Sequence, residues 1–309
     1  MDSTDGGARY FSPLRYPGGK AKLFPFVKSL IAANGLLGGE YVEPYAGGAG
    51  IGIELLAKGY VSRLHINDIN RPLVAFWKAT LTQTERFIRK VHDTRLTLRT
   101  WDMQKAIFVR PEEHDEVALG FAMFFLNRTS RSGILNGGVI GGRNQAGRWK
   151  IDARYDHRAL AIRIATIARM ADQIEVTGVD AIKFLRGRLR SLPSRTLIYL
   201  DPPYYVKGKD LYDDFYEAQD HAAIATFLTK RVRRQKWMIS YDNVKPIRDL
   251  YAGHPGIAYG LGYSARDARG GSEVMYFAPG LRVPQLSGGM VVRPGATRNV
   301  PRVRPVRFG

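Results

Sequence analysis

The chain has 309 residues, room for one large domain or two modest ones, and its 45% hydrophobic content is enough to bury a core. With no cysteine it can have no disulfide, thiolate zinc site or cysteine nucleophile, and its six histidines show no metal-ligand spacing. A net charge of +19 and a pI near 10.1 point to a nucleic acid partner rather than a neutral metabolite, because neutralising phosphates takes many Lys and Arg.

The opening residues Met1-Asp2-Ser3-Thr4-Asp5 carry neither the charged nor the apolar region of a signal peptide, and no apolar run is long enough to span a bilayer. Cytoplasmic residence and no membrane partner are therefore expected. Arg15-Tyr16-Pro17-Gly18-Gly19-Lys20 reads as a turn leading into a helix over 22–30. Tyr41-Val42-Glu43-Pro44-Tyr45 reads as a short strand. A glycine-rich turn, Ala46-Gly47-Gly48-Ala49-Gly50-Ile51-Gly52, follows it, then an apolar helix through Leu56. Leu64-His65-Ile66 reads as a second strand ending at Asn67-Asp68. This is a β-α-β unit whose glycines let the backbone approach a nucleotide. Asp68 lies 21 residues after Gly47, where an acid can take the two hydroxyls of a ribose. NAD fits that spacing too, but the glycines run G-G-A-G-x-G rather than G-x-G-x-x-G, and nothing else suggests hydride transfer.

From 71 to 169 the period changes to that of helices, over 72–81, 84–92, 117–125 and 159–170. Residues 127–150, rich in Gly, Arg and Asn, read as a loop or hairpin. Strands resume over 174–176, 196–200 and 237–240, alternating with helices over 221–232 and 244–251, and a strand over 273–277 closes the fold. The expectation is a mostly parallel α/β sheet built from 10–70 and 173–281 and interrupted by a helical insertion, 71–172. Residues 282–309 hold six Arg and no acid, and read as a disordered basic tail outside the fold.

The most informative segment is Leu197-Ile198-Tyr199-Leu200 running into Asp201-Pro202-Pro203-Tyr204. Two prolines remove backbone donors and fix φ, so an acid and nearby carbonyls form a rigid row of acceptors beside an aromatic ring. That suits a planar group carrying an NH2, such as an extruded base. The plain alternative is a strand-to-loop turn that happens to hold Asp and Pro.

Together these segments resemble the Dam-type adenine-specific DNA methyltransferases. The likeness lies in Tyr16-Pro17-Gly18-Gly19-Lys20, Glu43-Pro44-Tyr45-Ala46-Gly47-Gly48-Ala49-Gly50, Asn67-Asp68-Ile69-Asn70 and Asp201-Pro202-Pro203-Tyr204, in that order. Phe125-Leu126-Asn127-Arg128-Thr129-Ser130 and Ile239-Ser240-Tyr241-Asp242 also fit. The resemblance implies a Rossmann-like methyltransferase sheet with an antiparallel last strand, and S-adenosyl-L-methionine as methyl donor with no metal. It implies Tyr16, Lys20, Glu43, Pro44, Ala46, Gly47, Gly48, Asp68, Asp180 and Asp201 at the cofactor, and Asp201, Pro202 and Tyr204 at the chemistry. Double-stranded DNA would be the partner, in a bacterial cell or a phage-infected host. A cognate restriction endonuclease fits the same setting, and the enzyme would be a monomer or weak dimer. The insertion would read sequence, with Arg128, Arg131, Asn136, Arg143, Asn144 and Gln145 carrying side chains that pair with base edges. Phosphate contact or a solvated loop is the alternative for each. Two other readings stay open: a cytosine-amino methyltransferase, whose motif begins with Ser in place of Asp201, and a non-catalytic basic nucleic-acid binder.

Overall fold

The computed structural model describes residues 11–15, 20–206, 216–261, 272–287 and 290–292. Eight strands form one sheet: β1 (Gly39–Glu43), β2 (Val61–Asn67), β3 (Ile174–Thr177), β4 (Thr196–Leu200), β5 (Lys236–Asp242), β6 (Gly256–Leu261), β7 (Glu273–Phe277) and β8 (Met290–Val292). Their order is β3-β2-β1-β4-β5-β7-β6-β8. The first five are mutually parallel, β7 runs antiparallel between β5 and β6, and β8 pairs antiparallel with β6. The expected mostly parallel sheet with a reversed strand near its end is what forms.

Side-chain alternation explains the layers. Tyr41, Leu64, Leu197, Tyr199 and Met238 face one core, which α1 (Phe24–Ala33) and α2 (Gly50–Ala57) cover. Val42, Ile198, Leu200, Trp237 and Ile239 face a second core, covered by α8 (Ala181–Arg188), α9 (Ala218–Arg231) and α10 (Lys245–Leu250). β4 is buried along its whole length, as a central parallel strand with helices on both faces must be.

Between β2 and β3 lie α3 (Arg71–Thr82), α4 (Thr84–Asp93), α5 (Leu98–Phe108), α6 (Glu116–Thr129) and α7 (His157–Ala168). The sequence pattern predicts four of these and misses α5, which buries only Gln104 and Phe108 and so shows almost no apolar stripe. The insertion has no core of its own. Phe76, Phe87, Phe121 and Phe124 form an aromatic cluster continuous with the first core.

The boundary of the expected tail is corrected by the structure. Leu281 and Val283 are buried in the first core, and Asn34 clamps the Arg282 backbone through both its N–H and its carbonyl. β8 then adds a strand beyond β7. Met290 finds burial in a three-residue strand only because β6 offers an edge, which the local Pro- and Gly-rich composition conceals. Residues 293–309 lie outside the described residues, as does Tyr16. Among the described residues no helix is long and apolar enough to cross a membrane.

Gly120 marks the closest approach of α6 to α3. A Cβ there would sit 2.7 Å from the Ala75 carbonyl and the Phe76 Cα, backbone atoms that cannot move aside cheaply. Gly120→Ala should therefore destabilise the fold by about 1–3 kcal/mol, the usual cost of overpacking, despite the better helix propensity of Ala. Urea unfolding of the two proteins measures this directly.

Candidate active site at the sheet switch point

After β3 the chain crosses back to place β4 beside β1, so the strand order reverses between β1 and β4. Ligands of open α/β sheets sit at such a switch point, outside the carboxyl ends of the strands. Glu43-Pro44 and Leu200-Asp201 end these two adjacent strands.

The glycine-rich turn is held from three sides. Gly47 adopts a φ of +47° and Ala49 one of +43° at the start of α2. Asp68 Oδ2 accepts the Gly47 N–H at 3.0 Å while its Oδ1 accepts that of Asn70 at 3.0 Å. The Trp77 indole donates to the Gly47 carbonyl at 3.0 Å, and the Ser12 hydroxyl to that of Gly48 at 2.6 Å. Asn67, fully buried, ties three strand ends together. Its amide donates to the Pro44 and Val179 carbonyls and accepts from Thr177 and the Val179 N–H. Asp180 caps α8 through the Lys183 N–H and stays exposed at the same rim.

Across the switch point, alternation puts Tyr199, Asp201 and Ser240 on one face. The Ser240 hydroxyl donates to Asp201 Oδ1 at 2.6 Å, and the Tyr199 hydroxyl lies 2.9 Å from Ser240 Oγ. The Lys20 ammonium reaches the same Oδ1 at 3.3 Å, Glu273 Oε2 at 2.9 Å, and the Tyr204 hydroxyl. Tyr259 holds Glu273 Oε2 from the neighbouring strand at 2.6 Å. Burial presses the Lys20 pKa down, but Asp201 and Glu273 outweigh it and the net shift is upward, so the ammonium stays charged. Burial raises the Asp201 pKa, only partly offset by Lys20 and Ser240. Among the described residues nothing donates to Asp201 Oδ2 or to the Pro202 carbonyl. The turn after them is rigid, because Asp242 Oδ1 and Oδ2 accept the Tyr205 and Val206 N–H groups, each at 2.9 Å.

Residues 16–260 match the model of the D12 class N6 adenine-specific DNA methyltransferases. The chain belongs to that family. It is also 25% identical over 262 residues to the type II methyltransferase M.MjaIII of Methanocaldococcus jannaschii, spanning 78% of this chain and 87% of the relative. Among solved structures, the rRNA methyltransferase aviRa of Streptomyces viridochromogenes aligns at 14% identity with a TM-score of 0.40, covering 90% of this chain and 92% of that one. The chain is thus an adenine-specific DNA methyltransferase, and DNA is its substrate.

Of the residues expected at the methyltransferase's cofactor, Lys20, Glu43, Pro44, Ala46, Gly47, Gly48, Asp68, Asp180 and Asp201 converge on the carboxyl ends of β1 to β4 and the turns after them. Asp242, Ser240 and Glu273 are further members of the site that sequence reasoning missed as site residues. The available signal was a polar side chain at the end of an otherwise apolar strand. The insertion contributes Asn127, whose side-chain amide pairs with both the N–H and the carbonyl of Arg15 at 2.7 Å, fixing the segment that leads to Lys20.

The expected DNA readers divide. Arg128 is a brace: its guanidinium donates to the Arg154 and Pro13 carbonyls, and burial followed by Arg15 and Arg163 lowers its pKa. Arg143 makes a two-pronged ion pair with Asp102, at 2.5 and 2.9 Å. Asn136 Oδ1 accepts from Lys105, and Gln145 spends its amide on the Ile140 and Gly142 carbonyls and the Ile151 N–H. Arg131 and Asn144 are exposed.

Glu43 is buried beneath the glycine-rich turn, with Oε1 accepting the Gly52 N–H at 3.2 Å. Burial pushes its pKa up to about 8, against the opposing pull of Gly52 and Tyr41. The folded chain therefore keeps a proton that the unfolded chain releases near the ordinary carboxylate value of 4.5. Stability from this group is full below that value and is lost as pH rises through about 8. Glu43→Gln keeps the acceptor for Gly52 and removes the titration. Its melting temperature, relative to the parent's, should rise from pH 5 to pH 9.

Proposed function

We propose that this methyltransferase transfers a methyl group from S-adenosyl-L-methionine to N6 of adenine in double-stranded DNA, acting on a base turned out of the duplex. The observation that carries this is a pair of acceptors at the end of β4, Asp201 Oδ2 and the Pro202 carbonyl, to which nothing donates among the described residues. Lys20 and Ser240 both bind Oδ1 of Asp201, and the Pro202 carbonyl follows directly in the chain. The adenine amino group is a poor nucleophile because its lone pair is delocalised into the ring. Accepting its two N–H bonds at Asp201 Oδ2 and Pro202 O favours a tetrahedral nitrogen with a localised lone pair. The work is positioning and electrostatics, and the donors that hold Asp201 arrange it in advance. Tyr204, tethered by Lys20, offers its ring to the base.

The residues present fit the methyl donor. Asp68, whose two oxygens accept the Gly47 and Asn70 N–H groups at the glycine-rich turn, would take the two ribose hydroxyls. Glu43, Pro44, Ala46, Gly47 and Gly48 would line the backbone cradle, Asp180 its far rim, and Tyr16 belongs to the same set by motif. The donor supplies an electrophilic methyl on a cationic sulfur. Lys20, Asp201 and Glu273 sum to one negative charge at the switch point, which suits a bound cation. The insertion would carry target recognition, with the exposed Arg131 and Asn144 as base contacts and Arg128, Asn136 and Arg143 shaping or flanking that surface. The type II label of the archaeal relative supports a place beside a cognate restriction endonuclease.

Asp201→Ala should reduce labelled-methyl transfer by at least about 100-fold, the scale of losing one preorganised electrostatic partner. Folding and DNA affinity should hold, since Lys20 keeps Glu273 as a partner. Digestion of the product should yield N6-methyl-2′-deoxyadenosine. Methylcytosine from the parent, or near-parental rates from the variant, would overturn the site assignment.

Asp68→Ala should weaken calorimetric binding of S-adenosyl-L-methionine by about 1–3 kcal/mol, the cost of a lost charge-assisted hydrogen bond. Because Asp68 also holds Gly47, Asp68→Asn is the companion, keeping one acceptor for the turn. Unchanged affinity in both would remove Asp68 from the cofactor site.

A further inference from the structure

The charge of this chain is concentrated where the active site is not. Two segments, 183–195 and 230–236, carry Lys183, Arg186, Arg188, Arg190 and Arg195, and Lys230, Arg231, Arg233, Arg234 and Lys236. No acid falls between 181 and 200, nor between 221 and 241. Buried Gln235 stitches the two segments together, its amide donating to the Leu189 and Leu192 carbonyls at 3.1 and 3.0 Å. Lys236 then pairs in register with Leu197, two residues past Arg195. Arg188 is ion-paired with Glu175; the other nine cations make no ion pair among the described residues. Lys183, Arg186, Arg190, Arg195, Lys230, Arg231, Arg233 and Arg234 are exposed.

Part of this has a local explanation. Arg186, Arg188, Lys230 and Arg231 occupy the last turns of α8 and α9, where cations complement the helix dipole. Arg190, Arg195, Arg233, Arg234 and Lys236 lie beyond the helices and gain nothing from it. They gather at the amino ends of β4 and β5, whereas Asp201 and Asp242 stand at the carboxyl ends. At about 3.3 Å per residue, Arg195 and Asp201 are about 20 Å apart, beyond the ~8 Å over which exposed charges interact at physiological salt.

We infer that the amino-end pole is a second duplex-DNA-binding surface, holding the phosphate backbone of a DNA segment other than the one at the active site. The inference rests on DNA being the substrate. Unpaired cations with no acid among them are the chemistry that phosphates select, and no base reading is required of them. An enzyme with both surfaces holds two DNA segments at once.

The test uses the full chain and the triple variant Arg190→Gln, Arg233→Gln, Arg234→Gln. These side chains are exposed, and none is placed at the catalytic site. The parent should bring donor- and acceptor-labelled duplexes of non-specific sequence together in an energy-transfer assay. The triple variant should lose that bridging. Its log affinity against log salt should flatten by about 0.9 for each phosphate contact removed. The triple Arg→Lys variant should restore both, because charge rather than geometry is at work. Methyl transfer to short DNA fragments should keep the parental kcat in both variants. A parent that does not bridge, or a Gln variant that bridges with the parental salt slope, overturns the inference. Absence of methyl transfer by the parent would instead strike the catalytic proposal and leave the bridging result readable.

Discussion

A partly buried ammonium shared by two partly buried carboxylates organises the functional end of this molecule. Lys20 comes from the N-terminal segment, Asp201 from the end of β4 and Glu273 from the start of the reversed strand β7. A partly buried charge without a partner is costly, so these three pieces of chain are held to one geometry. Ser240, Tyr199 and Tyr259 satisfy remaining lone pairs by hydrogen bonds, which a low-dielectric site requires of any polar network. The reversed strand therefore does more than extend the sheet. It supplies the second acid that lets Lys20 stand beside Asp201 without consuming both of its oxygens.

The insertion is tied to this centre rather than appended to it. Trp77 on α3 holds the glycine-rich turn, and Asn127 on α6 holds the backbone of Arg15, five residues before Lys20. Gly133, with a φ of +77°, packs against the same stretch, where a Cβ would lie 2.6 Å from the Arg15 carbonyl. A region that shares the first core and grips two turns of the site is held in one geometry with it. Its own loop, 131–147, is braced from within by Gln145 and by the Arg143–Asp102 pair. The side chains that look most like base readers in composition are in part the ones that give this loop its shape.

Opposite signs of charge are separated along the strands. The carboxyl ends carry Asp68, Asp201 and Asp242, while the amino ends of β4 and β5 carry cations without acids. A polyanionic substrate approaching an acidic site must be held by cations elsewhere, and the +19 net charge supplies the attraction.

Local pattern was enough to determine the β-α-β start, the buried strand leading to Asp201 and a strand over 273–277, whose reversed direction came from the family resemblance, because period-2 apolar runs and glycine-rich turns are written in neighbouring residues. Asp68 was proposed from the strand that ends at it, and Lys20 was proposed through the family resemblance, since these motifs are contiguous. α5, β6 and β8 were illegible: α5 buries too few residues to leave a stripe, Gly256 and Gly260 interrupt β6, and β8 is three residues long. The packing of 281–283 into the core was hidden by a Pro- and Gly-rich neighbourhood. Only the tertiary structure could decide that Ser240, Asp242 and Glu273 join Asp201, or that Arg128 is a brace. Those roles depend on contacts between residues 26 to 253 positions apart, and side-chain chemistry alone carries no record of which distant group will satisfy it.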